Sequence, residues 1–132
     1  MTTEVIEHKQ IRIKVNAECD EDISPIVLAL NSIDGIFTLD SCQQGVYGES
    51  YVFFTYGRNW KDIGCLMNEL AQCFRSNGIC CECILRLEWV GSNENPRAKL
   101  VCDPQHVGYI ADIINSSAAG INLHMCELIH GT

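Results

Sequence analysis

Residues 20–45 read DEDISPIVLALNSIDGIFTLDSCQQG. Ile23, Ile26, Val27, Leu30 and Ile33 recur at the spacing of one helix face. Asp20 and Asp22 suit a helix amino terminus, where unpaired N–H groups carry partial positive charge. Ser24 or Asp22 can cap this helix, with Pro25 in its first turn. Gly35 can take the left-handed conformation that ends it. IFTLDSC (36–42) then reads as a strand that runs into a small-polar loop, Ser41-Cys42-Gln43-Gln44-Gly45.

On the amino-terminal side, the alternation in IRIKV (11–15) predicts a half-buried strand, with an acidic turn after it at 18–22. On the carboxyl side, QQGVYGES (43–50) reads as a glycine-containing loop and YVFFTY (51–56) as a strand rich in β-favouring residues. Asn59 and Asp62 resemble a cap for a second helix, whose stripe is Ile63, Leu66, Met67, Leu70 and Phe74. CCECILRLEWV (80–90) and AKLVC (98–102) are strands joined by the SNENP turn. Asp103-Pro104 opens a third helix along Val107, Ile110, Ala111 and Ile114, with Gly120 as its end. The tail INLHMCELIH fits a strand or a short helix equally. The order β-α-β-β-α-β-β-α predicts a single two-layer α/β (α+β) domain over residues 1–132, with a mixed sheet and about three helices.

With 132 residues and 47% apolar content the chain can build one core. No apolar run is long enough for a bilayer span, and MTTEVIEHKQ lacks the apolar stretch of a secretory signal. A soluble, cytoplasmic protein without membrane partners is the expectation. Nine cysteines, an odd number set within apolar patterns, favour reduced thiols acting as small core residues over a disulfide framework. Seventeen acidic residues against nine Lys and Arg give a net charge of −8, which weighs against a large nucleic-acid partner.

The chemistry gathers around the loop at 40–45. Successive N–H groups there can meet an anionic or carbonyl ligand, and Gly45 lets backbone approach closely. Ser41 offers a hydroxyl, and Gln43 and Gln44 offer donors and acceptors suited to a base edge. An ordinary polar turn between two strands accounts for the same residues. Cys42 as a nucleophile needs a base, and His8, His106, His124 and His130 all lie far from it in sequence. Tyr47, Tyr51, Tyr56 and Trp60 can stack on a planar ring or fill the core. Arg58 and Arg86 are candidate anion clamps. Cys80-x-x-Cys83 matches half a zinc motif, with Cys126 and His130 as further ligands if the tail is helical, but core thiols fit the pattern better.

DEDISPIVLALNS, with a strand and SCQQG after it, resembles the opening of the wybutosine-synthesis tRNA methyltransferase family. Thr38, Ser41, Cys42 and Gly45 are the nearest matches, with one extra residue before the glycine. ELAQCFRSNGI (69–79) looks like a later helix of that family, and IADIINSSAAGIN (110–122) is similar to its last one. Val46 stands where the family pattern carries Arg, and YVFFTYGRNW has no histidine. The resemblance implies S-adenosylmethionine as cofactor and a modified tRNA nucleoside as methyl acceptor.

These residues support three functional expectations. The first is a binder of a small nucleotide-like or adenosine-containing ligand, held by Ser41, Cys42, Gln43, Gln44 and Gly45 near Thr38, with Tyr47 or Tyr56 stacking on it. The second is an S-adenosylmethionine-dependent methyltransferase, supported by a basic face if Arg12, Lys14, Arg97 and Lys99 come together. The third is an interaction protein without a ligand. Homo-oligomerisation through a sheet edge is compatible with all three.

Overall fold

The computed structural model describes residues 10–13, 17–42, 48–57, 60–80, 82–89 and 96–130. A short antiparallel hairpin comes first, β1 (Gln10–Ile13) with β2 (Ala17–Asp20). A 3₁₀ turn at Glu21–Ile23 leads into α1 (Ser24–Asn31). Next come β3 (Ile36–Cys42), β4 (Ser50–Tyr56), α2 (Trp60–Ser76), β5 (Cys83–Glu88), β6 (Arg97–Cys102) and α3 (Val107–His130). This is the expected α+β arrangement of three helices on a sheet. No helix among the described residues is long and apolar enough to cross a membrane.

The four-stranded sheet runs in the order β3-β4-β6-β5, and every neighbouring pair is antiparallel. The mixed sheet expected from the sequence is therefore corrected. β4, α2 and β5 do form a crossover that delivers β5 in the same sense as β4. β6 then returns between them, so the two parallel strands never touch, as in a split β-α-β unit.

The inner face of the sheet carries Val52, Phe54 and Tyr56 from β4, Ala98 and Leu100 from β6, Cys83 from β5 and Ile36 from β3. Ile26, Val27 and Leu30 of α1 and Ile63, Leu66, Leu70 and Phe74 of α2 close over it in one core cluster. α3 packs along α1 and α2 and adds Ile110, Ile114, Ile121 and Met125.

Four local expectations change. Ala17–Asp20 pairs with β1 as a strand, where the acids alone suggested a turn. The N-cap of α1 is Ile23, with no side-chain bond, and the Ser24 hydroxyl donates to the Glu21 carbonyl at 2.7 Å. Of the strand expected at 80–90, Cys83–Glu88 is strand while Cys80, Glu82 and Trp89 are not, and residues 81 and 90 lie outside the described residues. Gly120 does not end α3, which runs to His130. A helical glycine costs only about 1 kcal/mol, and burial of Ile121 and Met125 beyond it outweighs that. α3 is also tied to α2 by Cys73 with Ser117 at 3.0 Å and by the His124–Glu69 contact, and to the turn after α2 by the Tyr109 hydroxyl on the Asn77 carbonyl at 2.9 Å.

Gly35 stands at φ +92°, a conformation that L side chains rarely adopt, and a Cβ there would press on the Tyr56 ring at 3.1 Å. The turn it makes brings β3 out directly beneath α1. There Asn31 Nδ2 donates to Thr38 Oγ1 at 3.2 Å and to the Val27 carbonyl at 2.8 Å.

Candidate functional site

β3 and β4 register regularly from Ile36–Tyr56 to Thr38–Phe54, then shift, and resume at Ser41–Val52 and Cys42–Tyr51. Leu39 and Asp40 thus form a bulge, which adds a residue and reverses the facing of the residues after it. Ser41 turns to the inner face. Cys42 turns to the outer face, beside Tyr51.

Tyr51 is hydrogen-bonded with Cys42, and its phenol is held above the usual range, first by burial and then by the nearby Cys42 and Asp40. It packs edge-on against Phe53 with ring centroids 5.4 Å apart. Lys99 Nζ lies 4.9 Å from the Tyr51 ring centre and 5.1 Å from that of Phe53. The Arg97 guanidinium sits 3.8 Å over Phe53. Arg86 pairs with Lys99 in register, so three cations share this face. Arg97 and Lys99 alternate on β6, which is why a basic pair in the sequence becomes a basic surface. The side chain of Arg12 and all of Lys14 lie outside the described residues.

Just past the bulge end of the sheet, β4 begins, β6 ends and β5 begins at the same level, Ser50 pairing with Cys102 and Cys102 with Cys83. A cleft of about 440 Å³ opens there. Ile84 and Val101 form its apolar part, and Val101 is the cross-strand partner of Tyr51. Glu49, Glu82, Asp103 and His106 supply polar groups, with Gly48 and Cys102 completing the wall. Two carboxylates are already oriented: Asp103 Oδ1 accepts from the Gln105 N–H at 3.1 Å, and Glu82 Oε2 from the Cys80 N–H at 2.7 Å. A volume of this size is within the range of small-ligand sites.

The expected residues fall in different places. Cys42 lies at the cleft end of the sheet, and Gly48 and Glu49, which form part of the cleft wall, come directly after the loop. Ser41 is half-buried, its N–H donating to Asp40 Oδ1 at 3.0 Å. Thr38 braces α1 through Asn31, a structural bond. Tyr56 is not brought to this end. It sits at the opposite end of β4, buried against Gly35, and roughly 17–20 Å of strand separates it from the loop. Tyr51 is the tyrosine that stands beside Cys42. Gln43, Gln44, Gly45 and Tyr47 lie outside the described residues, as does Arg58.

The cysteines divide. Cys83 and Cys102 are buried cross-strand neighbours with free thiols. Burial pushes the Cys83 thiol up to about 12, and burial with the nearby Asp103 pushes Cys102 up to about 11. Cys65, Cys80 and Cys126 are exposed, so the core-thiol expectation fits only part of the set. Among the described residues no three His, Cys, Asp or Glu side chains converge as a metal site would require.

No local signal in the sequence groups Glu49, Glu82, Ile84, Val101, Asp103 and His106, because three distant segments bring them together through strand register alone. Comparison with protein-family models, with curated proteins and with solved structures yields no match to this chain.

Proposed function

We propose that this domain binds a small adenosine-containing ligand in the cleft at the end of β4, β6 and β5. The observation that carries the reading is the meeting of an apolar strip, Ile84 and Val101, with acceptors from Glu49, Glu82 and Asp103, at the end of the sheet where Tyr51 pairs with Val101 and Cys42 with Tyr51. A purine has an apolar face for the strip, and its amine and ribose hydroxyls are donors for carboxylates. Three carboxylates also disfavour a phosphate and favour a cation. That ranks S-adenosylmethionine, with its sulfonium and ammonium, above nucleoside phosphates. The resemblance at Thr38, Ser41 and Cys42 supports the same ligand class. A cytoplasmic setting belongs to this reading, since seven of the described cysteines stand reduced, outside any disulfide.

The test is a thermal-shift series with S-adenosylmethionine, S-adenosylhomocysteine, adenosine and linear and cyclic nucleotides. A ligand at about 100 times its dissociation constant adds about 2.7 kcal/mol, a shift of several degrees. The methionine derivatives are expected to raise the midpoint, and Glu49→Gln and Cys42→Ala to weaken the rise. Silence across the series sinks the proposal, and a response to nucleotides alone reassigns the ligand.

A second reading, methyl transfer from S-adenosylmethionine to a modified tRNA nucleoside, is favoured by one observation. Arg86, Arg97 and Lys99 lie together on the open face with Tyr51 and Phe53, in an otherwise acidic chain. Such a surface suits a polynucleotide backbone. Incorporation of labelled methyl groups into tRNA, reduced by Lys99→Glu, distinguishes an enzyme from a binder.

A further inference from the structure

The two outer strands of the sheet, β3 and β5, differ in how they meet solvent. β3 carries the Leu39–Asp40 bulge and has β2 close beside it. β5 is regular from Cys83 to Glu88, contains no proline, and has β6 as its single strand neighbour among the described residues. Bulges and flanking elements blunt an edge, whereas a regular edge is a template for another strand.

β5 also exposes large apolar side chains. Leu87 is 40% exposed and Trp89, just past the strand, 58%. These odd positions share the inner side of the sheet with Leu85, at the margin of the helix layer. On the other side, Arg86 is exposed and makes no ion pair among the described residues. Glu88 makes a 3.8 Å contact with Arg97, both side chains one-third exposed.

We propose that β5 pairs antiparallel with β5 of a second copy, with the two-fold axis passing through Leu87. An isologous contact must be self-complementary, and among the registers this allows, the one that sets Arg86 against Glu88 is favoured by charge. With the axis at Leu87, the two Leu87 side chains meet, Leu85 faces Trp89 of the second copy, and Arg86 faces Glu88 of the second copy. Each heterogeneous pair occurs twice. An axis at Arg86 would instead set two guanidiniums against each other. An axis between Arg86 and Leu87 would pair residues from opposite sides of the pleat, which an antiparallel ladder does not allow. The result is a continuous eight-stranded sheet whose Trp89 and Leu87 side chains are shielded. Glu88 then lies between Arg97 of its own chain and Arg86 of the second.

The test is sedimentation equilibrium of the full chain across a concentration series. The unaltered protein is expected to dimerise. Leu87→Asp places two carboxylates at the axis and is expected to give a monomer. Arg86→Glu, at an exposed position and with its fold checked by circular dichroism, creates two like-charge contacts and is expected to weaken the dimer about tenfold or more. Arg86→Glu with Glu88→Arg restores both pairs and is expected to recover it. A protein that is monomeric throughout overturns the proposal. So does a dimer indifferent to Leu87→Asp and Arg86→Glu, and failure of the double reversal overturns the register. Ligand binding in the cleft is read separately by thermal shift, so either reading can fail alone.

Discussion

The two faces of this sheet reach low exposure by different means. On the inner face, Phe54 is fully buried among Val52, Leu100 and the side chains of α1 and α2. On the outer face, Phe53 is 8% exposed, and the groups found over it are the Arg97 guanidinium and the Lys99 ammonium. Apolar helices exclude water from one ring, and the stems and heads of long cationic side chains cover the other. The inner face specifies the fold. The outer face keeps an aromatic pair, Tyr51 and Phe53, beneath two long cationic side chains, where the inner face has apolar helices.

The heaviest loss should come where this contrast is sharpest. Phe54→Ala should cost about 3–5 kcal/mol through lost burial and a cavity, and Phe53→Ala a smaller amount, about 1.5–3 kcal/mol. Urea midpoints of the two variants measure the difference. Equal losses would mean that the outer face is packed as firmly as the core.

Much of the inner face is legible in the sequence. Ile36–Cys42 stands where IFTLDSC places it, and the stripes of α1 and α2 are found in the core, except that Met67 is only partly buried against it. Local periodicity encodes burial, so it can be read locally. Gly120 misleads because propensity is a weaker force than burial of Ile121 and Met125 on packed neighbours. The outer face and the cleft cannot be read that way. Placing Lys99 on Tyr51, or Asp103 near Glu49, requires knowing that β6 lies beside β4, and no short-range pattern carries that information.

The second test uses pH and acts on the inner face. Cys83 and Cys102 have thiols raised from an ordinary 9.0 to about 12 and about 11. Below pH 9 both the folded and unfolded chains keep these protons, so the thiols add no slope. Above it the unfolded chain loses them while the folded chain retains them, so stability falls as pH climbs toward 11–12. Tyr51 and Tyr56, also raised chiefly by burial, add loss of the same sign. Urea midpoints measured through the alkaline range should fall, and the Cys83→Ala, Cys102→Ala double variant should fall less steeply. An identical slope in that variant would remove the thiols from the account.

The mildest loss belongs to the cations. Lys99→Met keeps the stem over Tyr51 and Phe53 and removes the charge, so the loss should be about 0.5–1 kcal/mol. Thermal midpoints with and without added salt measure it. A loss as large as that of Phe53→Ala would show that charge, more than coverage, holds the outer face together.

The insertion of β6 between β4 and β5 also has a consequence for synthesis. β4 emerges from the ribosome long before the strand that will occupy its second edge, and α2 and β5 are made in the interval. Until Arg97–Cys102 has been translated, β3–β4 is a lone hairpin and β5 has no neighbour to pair with. Two-stranded units are marginal in water, so the four-stranded sheet can close only after Arg97–Cys102 has been made. Closure of the sheet therefore depends on contacts between segments far apart in sequence. β6 is the last of the four strands to be made, and a nascent chain stopped before it would leave an edge of β4 and both edges of β5 bare.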